Sequence, residues 1–172
     1  MLGFSLGGTI AVEIMSRGKI KIEKTILDAA FCVKMGLLTG LYTKAMSWSV
    51  KRICSGKKIP DFMIEFAMGK GNARIVETFY KGTDSETVKN ECRDAYRYEI
   101  KSSLSDYNGE VIFLRGENEV YPAKTFRLLK KYIPQIKEII FDGMGHGQFM
   151  NEHPEKYAET VLNVLSKSIS MC

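Results

Sequence analysis

The stretch Gly3-Phe4-Ser5-Leu6-Gly7-Gly8 decides how the chain is read. Ser5 has a glycine two residues away on either side, and the sequence behind it turns helical at once. Ile10, Ala11 and Ile14 recur at helical spacing, and Gly18 after Arg17 supplies a C-cap, so a helix is expected over residues 6–17. Gly3 and Gly7 let the backbone bend sharply without a Cβ clash, which presents Ser5 at the tip of a strand-to-helix turn. Ahead of that turn stand Met1 and Leu2, where the strand must lie.

Working outward, KTILDAAF (24–31) is a short apolar run that fits a buried strand, and a helix followed by a strand is the alternation of a parallel sheet. From 32 to 106 the pattern changes to helices broken by glycine and proline. Leu37, Leu38, Leu41, Tyr42, Ala45 and Met46 form one apolar stripe, and Phe62, Ile64, Phe66 and Ala67 a shorter one after Pro60. Trp48, beside Lys51 and Arg52, reads as packing between helices. Thr83 with Glu86 three residues on has the form of a capping box, ahead of a face bearing Val88, Cys92, Ala95 and Tyr96. The alternation then returns. EVIFLRG (110–116) is a strand, 122–132 a helix with Pro122 in its first turn, and KEIIFDG (137–143) another strand. A last helix starts near Pro154, with Tyr157, Val161, Leu162 and Leu165 on its apolar side. The expected fold class is therefore α/β: one domain over residues 1–172, with a helical insertion at 32–106.

Composition sets the outer bounds. The 172 residues are 45% hydrophobic and 26% charged, ordinary for a globular chain that buries one core. The net charge of +5 is spread among acidic residues, as in KNECRDAYRYEIK, which points to a solvated surface and no nucleic-acid partner. Cys32, Cys54, Cys92 and Cys172 have neither CxxC pairing nor histidines at ligand spacing. They read as free thiols with no metal, in a reducing compartment, the cytoplasm. No apolar run approaches the roughly 18–20 residues of a membrane span.

A serine hydroxyl is a poor nucleophile until a base takes its proton, so a reactive Ser5 demands a histidine. There are two. His146 lies in DGMGHGQF, a glycine-rich loop directly after a strand, which leaves its imidazole open at the sheet's end. His153 precedes Pro154 and reads as a helix-entry residue. The histidine in turn needs a carboxylate to fix its tautomer and stabilise the imidazolium. GENEVYP, after the strand 110–116, offers Glu119 first and Glu117 second; Asp28, at the end of the preceding strand, is third. The backbone N–H of Leu6, at the positive end of a helix, points where an oxyanion would form.

Together these stretches resemble the C-terminal part of an α/β-hydrolase. The nucleophile elbow is matched by Gly3-Phe4-Ser5-Leu6-Gly7, the acid loop by Gly116-Glu117-Asn118-Glu119, and the histidine loop by Gly143-Met144-Gly145-His146-Gly147, in the family's order of serine, acid and histidine. The resemblance implies a partial α/β-hydrolase fold, about three parallel strands plus the elbow of a fourth, flanked by helices and carrying 32–106 as a lid. It implies catalysis by Ser5, Glu119 and His146 on a small carboxylic ester or thioester, with no cofactor. The family's earlier strands, and the loop that gives a second oxyanion N–H, have no counterpart in these residues, which suggests a truncated chain. An open sheet edge is then expected to favour self-association, and the alternative to an active hydrolase is an inactive remnant or a fragment that needs a partner to complete its sheet.

Overall fold

The computed structural model describes residues 1–68 and 82–166. Its first half runs β1 (Leu2–Phe4), α1 (Leu6–Arg17) and β2 (Lys24–Asp28), then a 3₁₀ turn (Gly36–Leu38), α2 (Thr39–Cys54), α3 (Asp61–Met68) and α4 (Ser85–Ala95). A second 3₁₀ turn (Ser102–Asp106) leads to β3 (Glu110–Gly116), α5 (Val120–Leu129), β4 (Lys137–Phe141), α6 (Gln148–Glu152) and α7 (Pro154–Ser166). The four strands form one parallel sheet in the order β1-β2-β3-β4, with Leu2 opposite Ile26, Leu27 opposite Phe113 and Leu114 opposite Ile139.

Side chains alternate across a strand, and both faces of this sheet are covered. Leu27, Val111 and Phe113 point to one face, where they meet Ala11, Val12 and Met15 of α1 and Leu129 of α5. Ile26, Ile112 and Leu114 point to the other, against Ile139, Phe141 and the α7 residues Tyr157, Val161 and Val164. Burying a side chain such as Phe113, fully enclosed here, contributes on the order of 1.5–3 kcal/mol.

The helix expected at 6–17 has those bounds, and Gly18 ends it in the left-handed conformation. Its buried face, however, is Ala11, Val12 and Met15, while Ile10 is exposed. Strand β2 stops at Asp28, short of residue 31: the Ala29 N–H still donates to the Leu114 carbonyl (2.8 Å), but Ala29 turns to φ 50° and takes the following residues out of the ladder. Residues 29–32 then lie between two helices: Thr9 Oγ1 of α1 donates to the Phe31 carbonyl (2.6 Å), and the Cys32 N–H donates to Thr125 Oγ1 of α5 (2.9 Å). Helix α5 begins two residues before Pro122, whose missing N–H falls in the first turn and costs no helical bond. Helix α4 is capped by Asp84, with its carboxylate accepting from the N–H groups of Glu86 (3.1 Å) and Thr87 (2.9 Å), in place of the expected Thr83–Glu86 box. On α7, Leu162 and Leu165 are exposed and Val164 takes the inward position.

The largest departure is α2. Its buried residues are Thr39, Thr43, Ser47 and Val50, and the expected apolar stripe with Leu37, Leu38 and Leu41 faces outward. Trp48 is likewise exposed, not packed between helices. Tyr42, on the flank of α2, meets the hydroxyl of Tyr121 on α5 at 3.0 Å and so ties the insertion to the sheet domain. In α3, Ile64 is buried and Phe62 exposed; the side chains of Phe66 and Ala67, and all of Cys172, lie outside the described residues.

Candidate active site

Three loops leave the same end of the parallel sheet, and each carries one of the residues expected from the sequence. The first is the turn from β1 into α1. Ser5 sits there at φ 51° and ψ −115°, a region that side-chain-bearing residues rarely occupy and that costs on the order of 1–3 kcal/mol. The fold holds it there by hydrogen bonds. The Ser5 N–H donates to the Asp28 carbonyl (2.7 Å), and the Ser5 carbonyl accepts from Gly8 (3.0 Å) and Thr9 (3.3 Å).

Close packing explains two of the glycines. A Cβ on Gly3 would lie 2.4 Å from the Gly7 carbonyl oxygen, and a Cβ on Gly8 would lie 2.5 Å from the Ala30 Cβ. Around Gly7, by contrast, a Cβ would meet nothing within 4 Å. The sterically required pair at the elbow is therefore Gly3 and Gly8, not Gly3 and Gly7. The sequence hid this because Gly8's tight neighbour comes from the loop after β2. Leu6 opens α1 directly after Ser5, so its N–H has no acceptor within the helix and lies at the positive helix end.

The second loop follows β3. Glu119 stands just before α5 but does not cap that helix. Its carboxylate turns back instead: Oε2 accepts from the Gly116 N–H (2.6 Å) and Oε1 lies 2.6 Å from His146 Nδ1. Glu117 takes a different part, accepting from the Gly143 N–H (2.8 Å) on the protein's exterior. With the Asn118 N–H donating to the Met144 carbonyl (3.0 Å), it joins the loop after β3 to the loop after β4.

That third loop carries His146. Its Nε2 lies 3.1 Å from Ser5 Oγ, and the ring of Phe4 leans on the imidazole with centroids 5.0 Å apart. Because an ionised carboxylate only accepts, the Nδ1–H donates to Glu119, which leaves the Nε2 lone pair facing the Ser5 hydroxyl. His153 lies between α6 and α7, where its N–H donates to the Phe149 carbonyl (2.9 Å), away from this contact.

Asp28 is a neighbour of the site, with its own partner. Only 5% exposed, it accepts from the Tyr157 hydroxyl at 2.6 Å. Burial pushes its pKa up from the ordinary 3.8 to about 6; the Tyr157 hydrogen bond works against this, the Glu119 charge adds to it, and His146 opposes it. Nothing in the sequence around Tyr157 pointed to that bond. It forms because α7 packs across the face of the sheet on which Asp28 projects.

No protein-family model matches the sequence, and no curated protein does. Solved structures do match. An α/β-hydrolase family protein from Desulfitobacterium hafniense is 26% identical, superposes with a TM-score of 0.81, and covers 95% of this chain and 67% of its own. The chain belongs to the α/β-hydrolase superfamily. An esterase from Exiguobacterium antarcticum (21% identical, TM-score 0.70, 96% of this chain and 66% of its own) shares the fold. So does an enol-lactonase from Burkholderia xenovorans LB400 (15% identical, TM-score 0.66, 96% and 65%). The chain thus spans about two thirds of the length of these hydrolases, and its four-stranded sheet is a partial α/β-hydrolase fold.

Proposed function

We propose that the chain carries the catalytic residues of a serine hydrolase that cleaves a small carboxylic ester or thioester through an acyl-enzyme. The observation behind this reading is the relay of two hydrogen bonds, from Ser5 Oγ to His146 Nε2 and from His146 Nδ1 to Glu119, assembled from three separate loops. As Ser5 Oγ adds to the substrate carbonyl, Nε2 takes the hydroxyl proton, and Glu119 steadies the resulting imidazolium. The Leu6 N–H meets the oxyanion. A single such donor is typically worth about 2.7–4 kcal/mol of transition-state stabilisation. Collapse of the tetrahedral adduct breaks the bond to the alkoxide or thiolate, which leaves with the proton from Nε2. Water then adds to the acyl-enzyme, gives its proton to Nε2, and releases the acid while Oγ regains a proton. Residues 32–106 serve as the lid over this site. Similarity to an esterase and an enol-lactonase supports a carboxylic ester as substrate. The free thiols of Cys32 and Cys92 fit a reducing compartment such as the cytoplasm.

A second reading keeps the same residues but makes them inactive until further strands join the sheet. It is favoured by the position of β1, which pairs only with β2 among the described residues and leaves Leu2 48% exposed.

Intact-mass analysis after treatment with a fluorophosphonate separates the two. The first reading expects one adduct on the folded chain, lost in Ser5→Ala and in His146→Ala. A folded chain that forms no adduct overturns it in favour of the second.

A further inference from the structure

Helix α2 is amphipathic with its faces reversed. Thr39, Thr43 and Ser47 are buried on the inner side with Val50, and the Thr43 hydroxyl has no hydrogen-bond partner among the described residues. Leu41, Ala45 and Trp48 share the outer side at four- and three-residue spacing, and Leu37 and Leu38 extend it into the preceding turn. Leu37 is 103% exposed, Leu41 66% and Trp48 45%. Water is a poor environment for so continuous an apolar stripe, and the stripe has a chemical frame. Residues 29–60 contain Lys34, Lys44, Lys51, Arg52, Lys57 and Lys58 and neither Asp nor Glu. Lys34 is paired with Glu99 and Arg52 lies over the Trp48 ring at 5.1 Å. Lys44, Lys51, Lys57 and Lys58 are exposed, with no carboxylate in salt-bridge reach among the described residues.

We propose that the outer face of α2 docks on an anionic phospholipid surface. An apolar stripe flanked by basic side chains and carrying a Trp lets a helix lie in the interface plane, its leucines at the acyl boundary and its lysines at the phosphates. The charge distribution favours lipid over protein as the occupant. Protein interfaces are depleted of lysine, and a second copy docked about a two-fold axis would set these lysines against each other. The helix lies on the surface and does not cross it: α2 has 16 residues, and no helix among the described residues is long and apolar enough to span a membrane.

Trp48 is the sole tryptophan, so its fluorescence reports on this face directly. The full chain is mixed with vesicles of phosphatidylcholine alone or of phosphatidylcholine with phosphatidylglycerol, with emission and co-flotation as readouts. The expected result is a blue shift and flotation with the anionic vesicles only, reversed by high salt. Lys44→Gln and Lys51→Gln should each weaken binding by about fivefold. Leu41→Ser should weaken it by about tenfold or more, because it removes a large apolar anchor. All three side chains are exposed, and unchanged thermal unfolding of the variants shows that the fold is intact. Unchanged emission without flotation overturns the proposal, and so does equal binding to neutral vesicles. A blue shift that grows with protein concentration in the absence of lipid, accompanied by a doubled mass, also overturns it and assigns the stripe to a second copy.

Discussion

Both oxygens of the Glu119 carboxylate are engaged, one by the Gly116 N–H and the other by His146 Nδ1, each at 2.6 Å. The acid is therefore fixed to its own strand end before it meets the histidine. Glu119→Gln keeps the size of the side chain but can present an amide N–H to Nδ1, which favours the tautomer that turns Nε2–H towards Ser5. If the relay works as proposed, esterase kcat falls on the order of 10⁴-fold while the fold survives. Kinetics with a short acyl ester beside a circular dichroism spectrum measures both. A Glu119→Gln chain that keeps nearly full activity would remove Glu119 from the mechanism.

Asp28 leads to a prediction about pH. Its pKa rises from 3.8 to about 6 on folding, so between those values the folded chain holds a proton that the unfolded chain releases. The stabilising contribution is fully present below about pH 3.8 and is lost as pH rises through about 6. Asp28→Asn accepts the Tyr157 hydrogen bond without titrating. Its unfolding free energy should lack the decline between pH 4 and 6 that the parent shows. Above that window the variant should be the more stable by up to about 3 kcal/mol. Urea titrations at pH 4 and pH 8 test the difference, and identical pH slopes in the two chains would rule it out.

The elbow yields a contrast among three glycines. Alanine at Gly3 or Gly8 forces a Cβ to within 2.4 or 2.5 Å of the Gly7 carbonyl oxygen or the Ala30 Cβ, whereas at Gly7 it enters open space. Gly3→Ala and Gly8→Ala should each destabilise by about 1–3 kcal/mol or more, as overpacking does. Gly7→Ala lies in the first turn of α1 and should be neutral, or stabilising by up to about 1 kcal/mol. Urea midpoints of the three variants decide whether Gly8 replaces Gly7 as the constrained position.

Local rules made much of this fold readable in the sequence. The 6–17 helix, the strand at 110–116 and the parallel alternation follow from spacing and from apolar runs bounded by glycine. Ser5, Glu119 and His146 stand out because each lies in a loop directly after a strand, two of them framed by glycines. Tertiary contacts decided the rest. Gly8 matters because the loop after β2 returns to it, and Phe4 matters because its ring meets His146. The Asp28–Tyr157 bond joins residues far apart in the chain. On α2 the rule that apolar stripes face inward failed outright, because periodicity reports that a helix has two faces and cannot report which one the domain covers.

The inner face of α2 carries the last prediction. Thr43 is buried, and its hydroxyl finds no acceptor or donor among the described residues, so the fold bears the desolvation of that group without a compensating bond. Valine has nearly the same shape and no polar atom, and its slightly different helix propensity shifts the balance by only a few tenths of a kcal/mol. Thr43→Val should therefore raise stability by about 1–3 kcal/mol and leave the fluorophosphonate reaction untouched, since the substitution lies within the insertion and not in the Ser5 relay. Thermal unfolding beside the adduct assay measures both. A destabilised Thr43→Val chain would mean that the hydroxyl has a partner in solution and that the inner face of α2 is less dry than its burial implies.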